Sequence, residues 1–177
     1  MDTPTRRRFI TGGALALGAM TLRATAASAA SDDGVSHSAE AVHQEPVFTA
    51  DRARVYAVLL DPKQFDRVVE LSGALQAMHL QAKPCVISPH AGGAFALFGG
   101  VSTGRQIALV PNELVVQAWR AEDWSRGVYS IARFELVAQG SGCKILFDHT
   151  GFPQGDAESL ASGWWAHYWK PMQQLLS

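Results

Sequence analysis

Residues 156–176 read DAESLASGWWAHYWKPMQQLL, and their pattern decides the fold. Three of the five tryptophans fall here, at positions 164, 165 and 169. Leu160, Trp164, Tyr168 and Leu175 are spaced by four, four and seven, which puts them on one helical face. Trp165, Trp169, Met172 and Leu176 form a second stripe beside it. Two adjacent stripes make an unusually wide apolar surface for one helix. The spacing therefore predicts a long terminal helix held in a concave partner, which the rest of the chain has to build. Pro171 lies inside the pattern. It lacks a backbone N–H and crowds the carbonyl four residues back, so a bend is expected near His167.

The preceding segment supplies strands. From Ala82 onward the chain breaks into short apolar runs: Val86–Ser88, Gly93–Phe98, Val101–Val110, Leu114–Arg120, Gly127–Ala138 and Cys143–Phe152. Gly99-Gly100, Pro111-Asn112-Glu113 and Gln139-Gly140-Ser141-Gly142 are hairpin-length links, so the runs read as an antiparallel meander. A further strand is expected over Val42–Thr49, where Pro46 points to a sheet edge or strand end. Between it and the meander the period is helical. Val55, Val58 and Leu59 mark a helix over Ala50–Leu60, capped by Thr49 or Asp51. Asp61-Pro62 stops it and starts a second helix through Val69, with Phe65, Val68 and Val69 on its apolar side. The expected class is α+β: a seven-stranded curved antiparallel sheet, two short helices after its first strand, and a long C-terminal helix.

Alternation assigns the faces. Val128, Ser130, Ala132, Phe134 and Leu136 fall on one side of their strand; Tyr129, Arg133 and Glu135 fall on the solvent side. Val115, Gln117 and Trp119 share a side. So do Ile145, Phe147 and His149, with Asp148 and Thr150 opposite. The small Ser130 and Ala132 leave room on the inner face for a bulky aromatic helix.

Composition narrows the function. Hydrophobic content of 47% with 18% charge belongs to a chain that buries a core. Net charge is −1, but the first thirty residues hold four arginines and one aspartate; without them the balance is about −4. No basic run or aromatic-basic motif is left, which argues against nucleic acid as a partner. Residues 5–11, TRRRFIT, resemble the twin-arginine (Tat) export consensus, with Arg6 and Arg7 in the paired positions and Phe9 and Ile10 in the hydrophobic ones. An apolar stretch, Gly12–Leu22, follows; it is shorter than the roughly 20 residues that cross a bilayer. A small-residue site, Ala27-Ser28-Ala29 with cleavage at Ala29, completes a signal peptide over residues 1–30. Residues 31–41 read as a flexible linker and 42–177 as the folded domain. The expected location is the periplasm or the medium, with no stable membrane anchor after cleavage.

The order and spacing of motifs carry a family resemblance. They are Gly92-Gly93-Ala94-Phe95-Ala96-Leu97-Phe98-Gly99-Gly100, Gly104, Leu109-Val110-Pro111-Asn112, Trp119-Arg120, Trp124, Gly127, His149-Thr150-Gly151-Phe152-Pro153, Gly163-Trp164 and His167-Tyr168. With the element order, this resembles the helix-grip fold of the SRPBCC (START/Bet v 1-like) superfamily. Within it, residues 43–176 are similar to the activator of Hsp-90 ATPase homologue family. The resemblance implies that the glycines permit close backbone approach and that Gly163-Trp164 lets the helix sit close to the sheet. It also implies a non-catalytic, cofactor-free cavity between sheet and helix that binds an apolar small molecule. Phe95, Trp119, Trp124, His149, Trp164 and Tyr168 are its expected ligand-binding residues. Eukaryotic members, by the same resemblance, stimulate the chaperone's ATPase with this domain and a second one. A folding or stress partner acting through the outer sheet face is thus an alternative. Another is an enzyme of the superfamily's cyclase or hydrolase kind with His149 as acid/base.

The residues themselves leave these alternatives open. The six histidines show no metal-ligand spacing, and no serine sits in a nucleophile elbow. His149 faces the helix beside Phe147, either as a core histidine bonded to its neighbours or as a polar group that orients a ligand. His167 falls at the core's edge between the stripes. Trp119, Trp124, Trp164 and Tyr168 either line a cavity or fill it. Asp148 faces solvent by parity, away from His149. Cys85 and Cys143 read as two buried thiols or, in an oxidising compartment, one disulfide.

Overall fold

The computed structural model describes residues 40–77, 79 and 83–177. The expected signal peptide, with Arg6, Arg7, Phe9 and Ala29, and the linker through residue 39 lie outside the described residues. The linker is shorter than expected, because Ala41 already belongs to the first strand.

Strands β1 (Ala41–Gln44) and β2 (Val47–Phe48) both pair antiparallel with β8 (Gly142–Thr150). The single strand expected over 42–49 is thus split at Pro46. Proline donates nothing to a ladder, but its carbonyl accepts from Ile145 N–H at 3.0 Å, so pairing resumes beyond it. The other strands are β3 (Val86–Ile87), β4 (Ala94–Leu97), β5 (Ser102–Val110), β6 (Leu114–Ala121) and β7 (Ser130–Gln139). Their order across the curved sheet is β1-β8-β7-β6-β5-β4-β3, antiparallel throughout. Eight segments therefore fill the seven expected positions.

The register sets the inner face. Ala132 lies opposite His149, Phe134 opposite Phe147, and Leu136 opposite Ile145. All six are buried, as are Val115, Gln117 and Trp119 of β6. The alternation read from the sequence holds, with Tyr129 and Ile131 turned outward. Gly104 of β5 shows why glycine is needed there: a Cβ would stand 2.0 Å from the Ala118 carbonyl oxygen and 2.5 Å from the Phe95 ring.

Helix α1 (Arg52–Leu60) is capped by Asp51, whose carboxylate accepts from Arg54 N–H at 2.9 Å. Helix α2 (Pro62–Ser72) is capped by Asp61 through Lys63 N–H at 2.8 Å, with Pro62 in its first turn. It runs past Val69 until Gly73 takes a φ of 64°. The short α3 (Ala74–Ala77) follows.

The terminal helix is α4 (Ala157–Trp164), a π-helical turn over Trp165–Trp169, then α5 (Lys170–Leu175). The Lys170 N–H reaches back five residues to the Trp165 carbonyl. Pro171 accounts for the wide turn: its ring would crowd the His167 carbonyl of a regular α-helix, and a π turn ahead of it relieves the clash. The extra residue resets the helical phase. Trp164 and Trp169, five apart, both point inward and stack at 5.7 Å and 18°. Trp165 is turned out and is 48% exposed. The expected second stripe is therefore divided. Trp169 packs on Phe147 at 5.0 Å, while Met172 and Leu176 are buried and α5 packs against α2. Gln44 of β1 fixes the turn by donating to the Ala161 carbonyl at 2.8 Å and accepting from Trp169 Nε1.

Candidate functional site

Sheet and terminal helix leave a cavity of about 160 Å³ between them. Phe98, Val101 and Ser102 line it where the chain enters β5, and Trp119 lines it from β6. Ser159, Leu160, Gly163, Trp164, His167 and Tyr168 complete it from the helix. Phe98, Gly99 and Gly100 have φ of 50°, 70° and 110°, so the wall turns through three left-handed residues. For a phenylalanine that conformation costs about 1–2 kcal/mol. Its ring is held there against Phe65 at 5.8 Å and Tyr168 at 5.3 Å.

Gly163 departs from expectation. A Cβ at this position would meet no atom within 4 Å, so the glycine is not what brings helix and sheet together. It lines the cavity instead, and its missing side chain leaves space there.

Three buried polar atoms on the lining residues have no hydrogen-bond partner: Trp119 Nε1, Tyr168 Oη and His167 Nδ1. The Tyr168 hydroxyl is near enough to Trp119 Nε1 and the Ser102 hydroxyl to feel both, yet makes a well-formed bond with neither. Burial raises the pKa of the Tyr168 phenol and lowers that of the His167 imidazole. Both are therefore neutral at pH 7, and no lining residue carries a formal charge.

His149 is elsewhere, in the core behind the cavity. It accepts from Trp164 Nε1–H at Nδ1 (2.9 Å), which assigns the proton to Nε2. That nitrogen is 2.6 Å from Ser130 Oγ, and the Ser130 hydroxyl donates to the Trp119 carbonyl at 2.9 Å. The relay is closed, with both imidazole nitrogens used. His149 is fully buried, and burial drives its pKa down to about 3. It neither reaches the cavity nor has a free nitrogen for acid/base work. Asp148 points outward and bonds to His43 Nδ1 at 2.7 Å.

Of the six expected ligand-binding residues, Trp119, Trp164 and Tyr168 come together at the cavity. Trp124 borders an adjoining groove and donates from Nε1 to Asp156 at 2.9 Å. Phe95 is packed in the core across Gly104. Leu160, Gly163, Trp164 and His167 follow the i, i+3, i+4, i+7 rule, a signal that would have marked Gly163 and His167 as lining residues. Phe98 and Ser102 carried no such signal, since the left-handed turn places them. Cys85 and Cys143 are free and buried, which answers the disulfide alternative. Burial pushes their thiols up to about 12 and about 11.

Comparison with known proteins places this geometry. The chain is 32% identical to an activator of 90 kDa heat shock protein ATPase homolog from Dictyostelium discoideum over 81 residues, 45% of this chain and 21% of that protein. It is 23% identical over 116 residues to activator of 90 kDa heat shock protein ATPase homolog 1 from Homo sapiens, 66% of this chain and 34% of that one. The match thus spans a third or so, or less, of these curated relatives. A crystal structure described as an HSP90 activator from Plasmodium falciparum superposes with a TM-score of 0.61 at 16% identity. It covers 74% of this chain and 91% of that one, and shows the shared fold. The family model described as "Activator of Hsp90 ATPase homolog 1-like protein" matches residues 49–177, and the chain belongs to that family.

Proposed function

We propose that this helix-grip domain binds a small, largely apolar molecule between sheet and terminal helix, without catalysis. The observation that carries the reading is the cavity itself, walled by Phe98, Trp119, Trp164 and Tyr168 yet containing unpaired polar atoms. Ligand pockets combine apolar walls with a few placed polar groups in this way. Its volume is close to that of an engineered cavity of about 150 Å³ known to take up benzene. The proposal includes export by the twin-arginine route, on the TRRRFIT motif and the apolar and small-residue segments after it. Sequencing the N-terminus of material from the periplasmic fraction tests export; retained Met1 would refute it.

For binding, the test is thermal unfolding with a panel of toluene, indole, naphthalene and long-chain fatty acids. A ligand at 100 times its Kd stabilises by about 2.7 kcal/mol, a shift of several degrees in Tm. The expected result is a shift with the one-ring compounds. No shift with any compound at its solubility limit would sink the reading.

The family supports a second reading, a folding partner acting through the outward sheet face that carries Tyr129 and Ile131. Adding the full chain to an Hsp90-type ATPase discriminates it: stimulation favours this role, and an unchanged rate removes it.

A further inference from the structure

The polar atoms of the cavity narrow what it accepts. Trp119 and Tyr168 are 5% and 6% exposed, and Trp119 Nε1 and Tyr168 Oη are unpaired within the protein. An indole N–H can only donate, so its partner has to be an acceptor. A buried donor without a partner is costly, and a ligand acceptor recovers that cost on binding. No lining residue is charged, so a carboxylate would lose its hydration with no cation to meet it. The cavity of about 160 Å³ holds one aromatic ring with a small substituent. Phe98 and Trp164 present further ring surface to it.

Resting on the binding reading above, we propose that the ligand class is a neutral one-ring aromatic bearing a hydrogen-bond-acceptor oxygen, such as an aryl aldehyde, held by Trp119 Nε1 and Tyr168 Oη. The remaining unpaired atom, His167 Nδ1, belongs to a residue that is only part-buried.

Calorimetric titration of the full chain with benzaldehyde, its isostere styrene, and benzoate tests the class. Benzaldehyde is expected to bind about fivefold more tightly than styrene, the worth of one net hydrogen bond, and benzoate more weakly than either. Tyr168→Phe and Trp119→Phe should each pull the benzaldehyde-to-styrene ratio toward one. Tyr168→Phe keeps the ring and removes an unpaired hydroxyl, so its Tm should be unchanged or raised, which separates loss of preference from loss of fold. Equal affinity for styrene and benzaldehyde would overturn the acceptor class while leaving cavity binding intact. Benzoate binding most tightly would overturn neutrality. If none of the three binds, the cavity reading itself falls.

Discussion

Replacing His149 with glutamine should flatten the acid side of the stability profile. The imidazole is fully buried, receives the Trp164 N–H and is bonded to Ser130, and its pKa falls from 6.5 to about 3 because burial disfavours the charged form. The sign follows from proton uptake. As pH drops through 6.5 the unfolded chain binds a proton that the native state takes up only near 3, so stability is lost across that window and level above it. Between pH 7.5 and 4.5 the group crosses two of those units, worth roughly 2.7 kcal/mol. That is a large share of the roughly 5–15 kcal/mol that holds a domain together. Glutamine offers a donor and an acceptor but does not titrate. It should cost about 1–3 kcal/mol at pH 7.5 through imperfect hydrogen bonds. It should then lose roughly 2.7 kcal/mol less than the parent on going to pH 4.5. His43, raised by its hydrogen bond to Asp148, and Glu45, lowered by Lys144, titrate alike in both proteins and cancel in the difference. The assay is urea unfolding of both proteins at the two pH values. A pH-independent difference between them would refute the buried neutral relay.

Other positions test the packing. Trp169→Ala should destabilise by about 3–5 kcal/mol, while Trp165→Ala, on a half-exposed ring, should stay within about 0.5–1 kcal/mol in denaturant titrations; equal costs would contradict the π-turn phase. Gly163→Ala fills open space at a helical position and should raise stability by about 0.5–1 kcal/mol, read as a higher Tm. A thiol reagent at pH 8 should find neither Cys85 nor Cys143 in the native protein and both after denaturation, since both are buried with raised pKa values.

The sheet was legible because its signal is short-ranged and has a period of two. Once Phe134 is placed inward, Ala132 and Leu136 must follow, and no distant contact changes that. The caps at Asp51 and Asp61 are equally local. The site was half legible for the opposite reason. Trp164 and Tyr168 were visible as a stripe, but whether an aromatic lines a cavity or fills the core depends on what faces it across the fold. His149 shows this: parity correctly turned it inward, while Trp164 and Ser130, from other elements, decide that it is a saturated core residue. The same holds for Gly163, whose role depends on what faces it rather than on its place in the helix.

Pro171 was expected to bend the helix, and it coincides with a change of phase. Whether the proline alone maintains that phase can be decided by magnitude. Pro171→Ala restores one backbone hydrogen bond, worth about 0.5–1.5 kcal/mol, and relieves a helix-interior proline worth about 3 kcal/mol. Rewinding the π turn to α would also rotate α5 by about 100° relative to α4. Met172 and Leu176, 0% and 4% exposed, would then leave the core at about 2–5 kcal/mol each, and Trp169 would lose its bond to Gln44. The losses exceed the gains, so the π turn should persist without the proline. Near-UV circular dichroism and the tryptophan emission maximum of Pro171→Ala should therefore match the parent. A shifted emission maximum or a collapsed near-UV signal would mean that the proline, not the packing of Trp169, Met172 and Leu176, sets the phase of the helix.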